Sequence, residues 1–282
     1  MNYVKRIYIK YQKDGIWRVV SFLLKKIKIQ TKYSSFIHKK KTLLTKDIIK
    51  LTKCIVGSGY YKSLKLKGDY NWNKDNIDIS SKLLGCYEQQ VQEKIIELKN
   101  KYKLKYLINF GAGEGFHALG LIKNNYFRKA LCFEIDKLTR NILFGNIKIN
   151  KINKKILIFS EANFKDIANN LNAIKLKRSL FLVDIEGEEF NLFNQKNLIY
   201  YKNSFLIIEN HQKFFKNKKL KNVFFKLINK NFNVKILNDG GRNPNLIKKL
   251  ENLNDDEKWL LMSENRPCRM DWIILIPKSV RY

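Results

Sequence analysis

Residues 108–116 read Ile-Asn-Phe-Gly-Ala-Gly-Glu-Gly-Phe, and this stretch decides the fold. An apolar run with strand character leads into the glycines, and a helical pattern of apolar residues begins at Phe116. Glycines at such a junction allow a tight turn and let the backbone approach a ligand closely. From Leu83 to the end of the chain, short apolar runs alternate with longer helical patterns. This alternation predicts an α/β protein with a doubly wound, mostly parallel sheet.

The same alternation predicts where each helix and strand lies. We expect helices over 87–100, 116–123, 138–149, 164–173, 189–198 and 213–230. We expect strands over 106–110, 130–134, 155–159, 179–185, 204–209, 232–237 and 272–276. The three prolines all follow residue 240, so none interrupts the earlier elements.

The spacing of the three glycines points to the type of ligand. Gly111, Gly113 and Gly115 follow the pattern G-x-G-x-G, whereas a dinucleotide site needs G-x-G-x-x-G and would require glycine at Phe116. G-x-G-x-G is the spacing of S-adenosylmethionine sites. By itself it is a weak signal, because three nearby glycines can simply form a loop. We expect the three glycines to contact a cofactor, provided that a second feature of the sequence also indicates a cofactor site.

An acidic residue at the end of the next strand supplies that second feature. Glu134 follows the glycine turn by about twenty residues, where nucleotide-binding α/β folds place a carboxylate on the ribose hydroxyls. Together the two features predict S-adenosyl-L-methionine as the cofactor. Asn163 follows the third strand, where an adenine ring would lie, and it is expected either to bind the base or to cap the next helix.

The acceptor side of the site is predicted from the ends of two later strands. Ligands in open parallel sheets bind outside the carboxyl ends of strands, where Asp184 opens an acidic cluster and Glu209 and His211 follow the next strand. We predict these three as the catalytic residues, with His211 the best general base because its ordinary pKa lies near neutrality. Clustered carboxylates also suit hard cations. Because no second acidic motif with ligand spacing supports a metal, we expect none.

Charge and composition narrow the function classes less than the motifs do. The chain has 282 residues and a net charge of +31, which would attract nucleic acids or anionic membranes. Nearly all of the excess is lysine spread along the chain, so an AT-rich genome is the simpler explanation. The four cysteines form no CxxC pair, and no apolar stretch is long enough to span a membrane. We expect a cytoplasmic enzyme with no obligate partner.

Two regions are expected along the chain: a basic N-terminal extension of helical and irregular character over residues 1–82, and the α/β domain over residues 83–282. Residues 16–27 have helical amphipathic spacing and are followed by lysines. This segment is expected to dock on its own domain, and peripheral attachment to a membrane surface stays open as the alternative.

Residues 84–209 resemble the FkbM-like family of class I S-adenosylmethionine-dependent methyltransferases. The resemblance is carried by residues 109–115, 133–134, 146–150, 184–189 and 209–211, with D-x-E-G-x-E at 184–189 the most specific segment. It implies a Rossmann-like sheet of seven strands, the last one antiparallel, and methylation of hydroxyls on sugars or natural products. It also implies that Asn109 lies at the methionine end of the cofactor, although Asn109 replaces an acidic residue and Gly113 an asparagine.

The predicted function is thus O-methylation of a small-molecule or saccharide acceptor. Two alternatives stay open. The first is methylation of RNA or another nucleic acid, which the acidic cluster after the fourth strand disfavours. The second is a catalytically weak protein with a cofactor fold that binds a membrane or a protein partner through residues 1–50.

Overall fold

The computed structural model describes residues 32–67, 78–238, 240, 242–264, 266, 268 and 270–280. The chain divides into two compact units, Met1–Leu44 and Thr45–Tyr282. Helix α1, Lys32–Thr52, contains the described part of the first unit. The amphipathic segment predicted over 16–27 lies outside the described residues. None of the described helices has the length and apolarity that crossing a bilayer requires.

The second unit contains the remaining helices and all the strands of the described residues. Its helices are α2 Ile79–Leu84, α3 Gln89–Tyr102, α4 Phe116–Lys123, α5 Lys137–Asn150, α6 Phe164–Asn170, α7 Ala173–Leu176, α8 Glu189–Leu192, α9 Leu198–Tyr201, α10 Lys218–Asn231 and α11 Asp255–Met262. Its strands are β1 Tyr106–Phe110, β2 Lys129–Phe133, β3 Ile156–Phe159, β4 Ser179–Val183, β5 Phe205–Glu209, β6 Phe232–Leu237 and β7 Trp272–Pro277.

The seven strands form one sheet in the order β3-β2-β1-β4-β5-β7-β6. Strands β1 to β5 pair in parallel, and β7 is antiparallel to both β5 and β6. The predicted mostly parallel sheet with an antiparallel last strand is confirmed. In the register, Phe110 stands beside Phe133 on one side and Val183 on the other. The residues that follow β1, β2 and β4 therefore meet at one edge, where the strand order reverses and ligands of such sheets bind.

The central strands are mostly apolar because helices cover both faces of a parallel sheet. Every residue of β4 and β5 is buried. On one face the rings of Phe110 and Phe133 meet edge to face, with centroids 5.0 Å apart. Burying a phenylalanine side chain contributes roughly 1.5–3 kcal/mol. This packing fixes the ends of β1 and β2, from which the candidate site is built.

The second unit begins well before the boundary predicted between residues 82 and 83. Tyr61 is fully buried and lies against Gly120, where an added Cβ would be 2.3 Å from the tyrosine ring. The backbone N–H of Lys65 donates to Oδ1 of Asn150 at 2.9 Å. The segment that the sequence assigns to the extension is therefore packed on helices of the α/β unit itself.

Three helices differ from the sequence prediction. The helix expected over 164–173 ends at Asn170, and a separate short helix follows from Ala173. Asparagine side chains explain the other two differences. The helix expected over 189–198 is split into α8 and α9, because Oδ1 of Asn194 accepts the backbone N–H of Lys196 at 2.9 Å and of Asn197 at 3.1 Å. The helix expected from residue 213 begins at Lys218, because Asn217 caps it through the N–H of Leu220 at 3.1 Å. Asparagine competes in this way with regular helix hydrogen bonding.

Candidate functional site

The glycine turn after β1 combines a crowded position with an open one. Gly111 has φ +71°, and a Cβ there would lie 1.7 Å from the carbonyl oxygen of Asp184, so only glycine fits beside β4. Gly113 has φ +55°, and its Cβ direction meets no atom within 4 Å. Gly115 is the N-cap residue of α4. The middle glycine thus presents bare backbone to open space.

Glu134 lies against this open glycine. Its Oε2 accepts the backbone N–H of Gly113 at 2.8 Å, and its Oε1 accepts the N–H of Asp136 at 2.9 Å. Parallel pairing of β1 and β2 aligns their carboxyl ends, which is why a residue 21 positions along the chain returns to the turn. The sequence predicts that Gly113 and Glu134 converge, and the structure brings them together.

A cavity of about 810 Å³ opens beside the turn. This size is typical of pockets that enclose a drug-sized ligand. Several residues predicted for the site line the cavity, namely Asn109, Gly111, Gly113, Glu134 and Asp184. Four other predicted residues are not part of the lining, namely Gly115, Asn163, Glu209 and His211. The first group can contact a ligand directly, and the second acts through its neighbours.

The side of the cavity next to β3 has apolar walls. Ala162 lines it, as do Ile135 and Leu138, whose side chains are exposed, and the polar residues Ser160 and Glu161 stand beside them. Exposed apolar side chains at the mouth of a cavity suit a flat ring such as adenine. Neither Ile135 nor Leu138 is among the predicted site residues, although apolar residues one and four positions after Glu134 were a usable signal.

Asn163 is committed to helix α6 and does not line the cavity. Its Oδ1 accepts the backbone N–H of Asp166 at 2.9 Å, and its Nδ2 donates to Oδ2 of the same residue at 2.8 Å. Of the two roles predicted for Asn163, the helix cap is the one that these bonds satisfy. Contact between its side chain and an adenine ring conflicts with this geometry.

Asp184 is the acceptor-side residue that reaches the cavity. Its side chain is 37% exposed, and its Oδ1 is buried without a hydrogen-bond partner among the described residues. Burial, followed by the charge and hydrogen bonding of Glu209, raises the pKa of Asp184 well above its ordinary value. Because the pKa of Glu209 is lowered, a proton shared by these two carboxyls resides on Asp184.

Glu209 and His211 lie behind Asp184. The Nδ1 of His211 is 3.2 Å from Oε1 of Glu189, and its Nε2 is 3.1 Å from Oε2 of Glu209. Burial alone lowers the pKa of His211, but the hydrogen bonds to Glu189 and Glu209 outweigh burial and raise it to about 10. Burial raises the pKa of Glu209, but the bonds to His211 and Asp184 and the charge of Arg266 lower it to about 2.

This arrangement conflicts with the predicted role of His211 as general base. An imidazole with a pKa of about 10 is protonated at neutral pH and has no lone pair with which to accept a proton. The sequence suggests a free histidine at the strand end, but the ring is buried between two carboxylates that neighbouring elements supply. His211 can instead act as a buried cation that holds Glu209 in its ionised form.

Asp184, Glu186 and His211 are also close enough to share a metal ion, with one ligand atom from each lying within 4.8 Å of the others. A metal ligand must be the neutral form of histidine. A cation at this point would have to remove the proton from His211 and replace its hydrogen bond to Glu209. The prediction that the site uses no metal stays a prediction.

The cavity also has a charged wall that the sequence analysis did not identify. Lys82 lies on α2, and its Nζ is 2.7 Å from Asp78 and 2.6 Å from Oε1 of Glu114, which lies in the glycine turn. Glu88 lies just before α3, and its Oε2 is 2.8 Å from Nε2 of His117. Both Lys82 and Glu88 line the cavity.

A segment near the end of the chain completes this wall. Arg266 forms ion pairs with Glu88, Glu209 and Glu264. It thereby connects the lead-in to α3 with the end of β5. The available signal was the presence of opposite charges in two segments of the sequence, 83–88 and 263–267, but nothing in the sequence joins those two segments.

The fold is similar to that of solved methyltransferases. TrmK from M. capricolum, solved with S-adenosyl-homocysteine, is 17% identical over 66% of this chain and 67% of that chain, with a TM-score of 0.39. The O-methyltransferase TomG from Streptomyces achromogenes, solved with S-adenosylmethionine, is 7% identical over 68% of this chain and 82% of that chain, with a TM-score of 0.46. The sequence matches no protein-family model and no curated protein. Similarity this low concerns the fold alone, so the resemblance to the FkbM-like family stays a prediction and any function must be argued from the site.

Proposed function

We propose that the chain is an S-adenosyl-L-methionine-dependent methyltransferase that methylates a hydroxyl of a small molecule or saccharide. One observation carries the proposal. The carboxylate of Glu134 meets the bare backbone of Gly113 at 2.8 Å, on the wall of a cavity that Asp184 also lines. A nucleoside-binding feature and an acceptor-side carboxyl thus share one enclosed space.

The residues present fit this cofactor. Each carboxylate oxygen has two lone pairs, so Glu134 can accept ribose hydroxyls while it keeps its bonds to Gly113 and Asp136. The open space at Gly113 allows a ligand to approach the turn more closely than any side chain would permit. The apolar wall formed by Ile135, Leu138 and Ala162 suits the adenine ring.

The cofactor supplies a methyl group on a sulfonium, and the chain's own residues position the acceptor. Asp184 presents the carboxyl that can hydrogen-bond an acceptor hydroxyl and direct its oxygen. Glu209 and His211 do not line the cavity, so we assign them positioning roles that act through Asp184. Fixed orientation of this kind is the main catalytic contribution that a protein makes to such a displacement.

Charge at the mouth of the cavity favours a neutral acceptor over a nucleic acid. Glu186, whose side chain is 91% exposed, and Glu188 line the cavity beside Asp184. A phosphate backbone would be repelled from this wall, whatever the overall charge of +31. Uncharged hydroxyl compounds, saccharides among them, meet no such barrier.

Calorimetric titration of the full chain with S-adenosylhomocysteine tests the cofactor. We expect saturable binding that Glu134→Ala weakens about 30-fold or more, because two hydroxyl bonds to a carboxylate are lost. Glu251→Ala removes an exposed carboxylate outside the cavity and is the matched control. Absence of heat with the wild-type chain at millimolar ligand would overturn the proposal. Transfer of labelled methyl to hydroxyl compounds then tests the acceptor class.

A further inference from the structure

Glu88 is a carboxylate built into the cavity wall that the cofactor scheme above does not use. Its side chain is only 4% exposed, yet it lines the cavity. Arg266 holds Oε1, His117 holds Oε2, and the backbone N–H of Glu88 donates to Glu264 at 2.7 Å. Its backbone has φ +45°, a left-handed conformation that costs a non-glycine residue energy and is concentrated at functional sites.

Glu88 belongs to a buried cluster of ion pairs. Among the described residues, the carboxylates of the cluster are Glu88, Glu189, Glu209 and Glu264, and their partners are Arg242, Arg266 and His211. Of these carboxylates, Glu88 is the one that lines the cavity. A carboxylate this deeply buried attracts a cationic group of a ligand more strongly than an exposed carboxylate does, because the local dielectric constant is low.

Glu88 and Glu134 contact different parts of the segment that contains the glycine turn. Glu134 bonds to Gly113 within the turn, whereas Glu88 bonds to His117 in the first turn of α4 that follows. Both carboxylates line the same cavity, so a ligand whose ribose meets Glu134 has a second carboxylate available in that cavity. In S-adenosylmethionine the group that suits a second carboxylate is the ammonium of the amino acid portion.

We propose that Glu88 binds the ammonium of the cofactor's methionine portion. The inference rests on the proposed function, since it assumes that cofactor. One other polar group near the turn is less suited to the task. Asn109 is uncharged, and its Nδ2 donates to the carbonyl of Leu182 at 3.2 Å. A carboxylate with one partner on each oxygen still has lone pairs with which to accept the ammonium.

The test compares two ligands on the full chain. S-Adenosylhomocysteine has the amino acid portion, and 5′-methylthioadenosine lacks it. We expect Glu88→Gln to lower the affinity for S-adenosylhomocysteine about tenfold or more and to leave that for 5′-methylthioadenosine unchanged. Glu251→Gln is the control, because Glu251 is an exposed carboxylate that does not line the cavity. The ratio of the two affinities should stay at the wild-type value in this control.

Equal losses for both ligands in Glu88→Gln, or no loss for either, would overturn the proposal and leave Glu88 a structural partner of Arg266. A wild-type chain that binds neither ligand would refute the proposed function itself. Should Glu88→Gln fail to fold, the wild-type chain is titrated with the adenosine 5′-thioether of 4-mercaptobutyrate, which lacks only the amino group. Binding at least about tenfold weaker than that of S-adenosylhomocysteine is expected, and equal binding overturns the proposal.

Discussion

Replacing Gly113 by alanine separates the ligand-binding role of the glycine turn from its role in folding. An added Cβ meets no atom within 4 Å, so the only cost to the folded chain is the left-handed backbone at φ +55°. That cost is about 1 kcal/mol for alanine. We expect the thermal midpoint to fall by only about 2–4 °C.

The same methyl group would occupy the space into which the cofactor must come. It stands beside the N–H that binds Glu134, at the open position of the turn. Forcing an extra carbon into a well-packed contact costs about 1–3 kcal/mol, which corresponds to roughly 5- to 150-fold weaker binding. Calorimetric titration with S-adenosylhomocysteine measures this loss, and the thermal melt of the same sample measures folding.

Two further glycine substitutions serve as controls. In Gly111→Ala the Cβ would lie 1.7 Å from the carbonyl oxygen of Asp184, so we expect the chain to fail to fold. In Gly145→Ala, within helix α5, the nearest atoms belong to the flexible end of Lys67, and both folding and binding should be preserved. If Gly113→Ala binds S-adenosylhomocysteine as tightly as the wild type, the assignment of the turn to the cofactor is refuted.

Three other predictions follow from the site. Asn163→Ala should lower the free energy of unfolding by about 1 kcal/mol through loss of the cap on Asp166, and should leave cofactor affinity unchanged in the same titration. The raised pKa of His211 contributes stability that is fully present below pH 6.5 and is lost as the pH rises through about 10; thermal melts should show this decline, and His211→Gln should flatten it. A decline of unchanged size in that variant would show that other groups cause it. Because the protonated ring of His211 offers no lone pair, EDTA should not alter the affinity for S-adenosylhomocysteine, and a marked loss would indicate a metal.

The elements that could be predicted from sequence are those with an uninterrupted pattern. Strands Tyr106–Phe110 and Phe232–Leu237 and helix Phe116–Lys123 lie where their periodicity places them. The prediction was wrong where a single asparagine side chain sets the end or the start of a helix. The apolar pattern continues past Asn194 and begins before Asn217. At both positions the asparagine Oδ1 accepts a nearby backbone N–H, which competes with regular helix hydrogen bonding. Periodicity does not register such local competition.

The contacts of the candidate site likewise divide into those that could be predicted from the sequence and those that could not. Gly113 and Glu134 could be predicted to meet because adjacent parallel strands must end at the same edge of the sheet. The contact between Arg266 and Glu88 could not, because the two residues are 178 positions apart and lie in irregular segments. The protonation of His211 depends on Glu209 and Glu189, which are near it in the sequence, but their distances from the two ring nitrogens and the burial of the ring could not be predicted from the sequence.

Gly111 joins the two halves of the proposed reaction. Its missing side chain lets the carbonyl of Asp184 lie against the cofactor turn, and the N–H of Asp184 donates to the carbonyl of Phe110 at 3.0 Å. The turn proposed to receive the methyl donor and the residue proposed to face the acceptor are therefore fixed by direct backbone contact. Misplacement of reacting groups by about 1 Å can cost 100-fold in rate. A methyl transfer that relies on positioning gains most from such a contact, which is why the crowding at Gly111 is as informative about the reaction as the open space at Gly113.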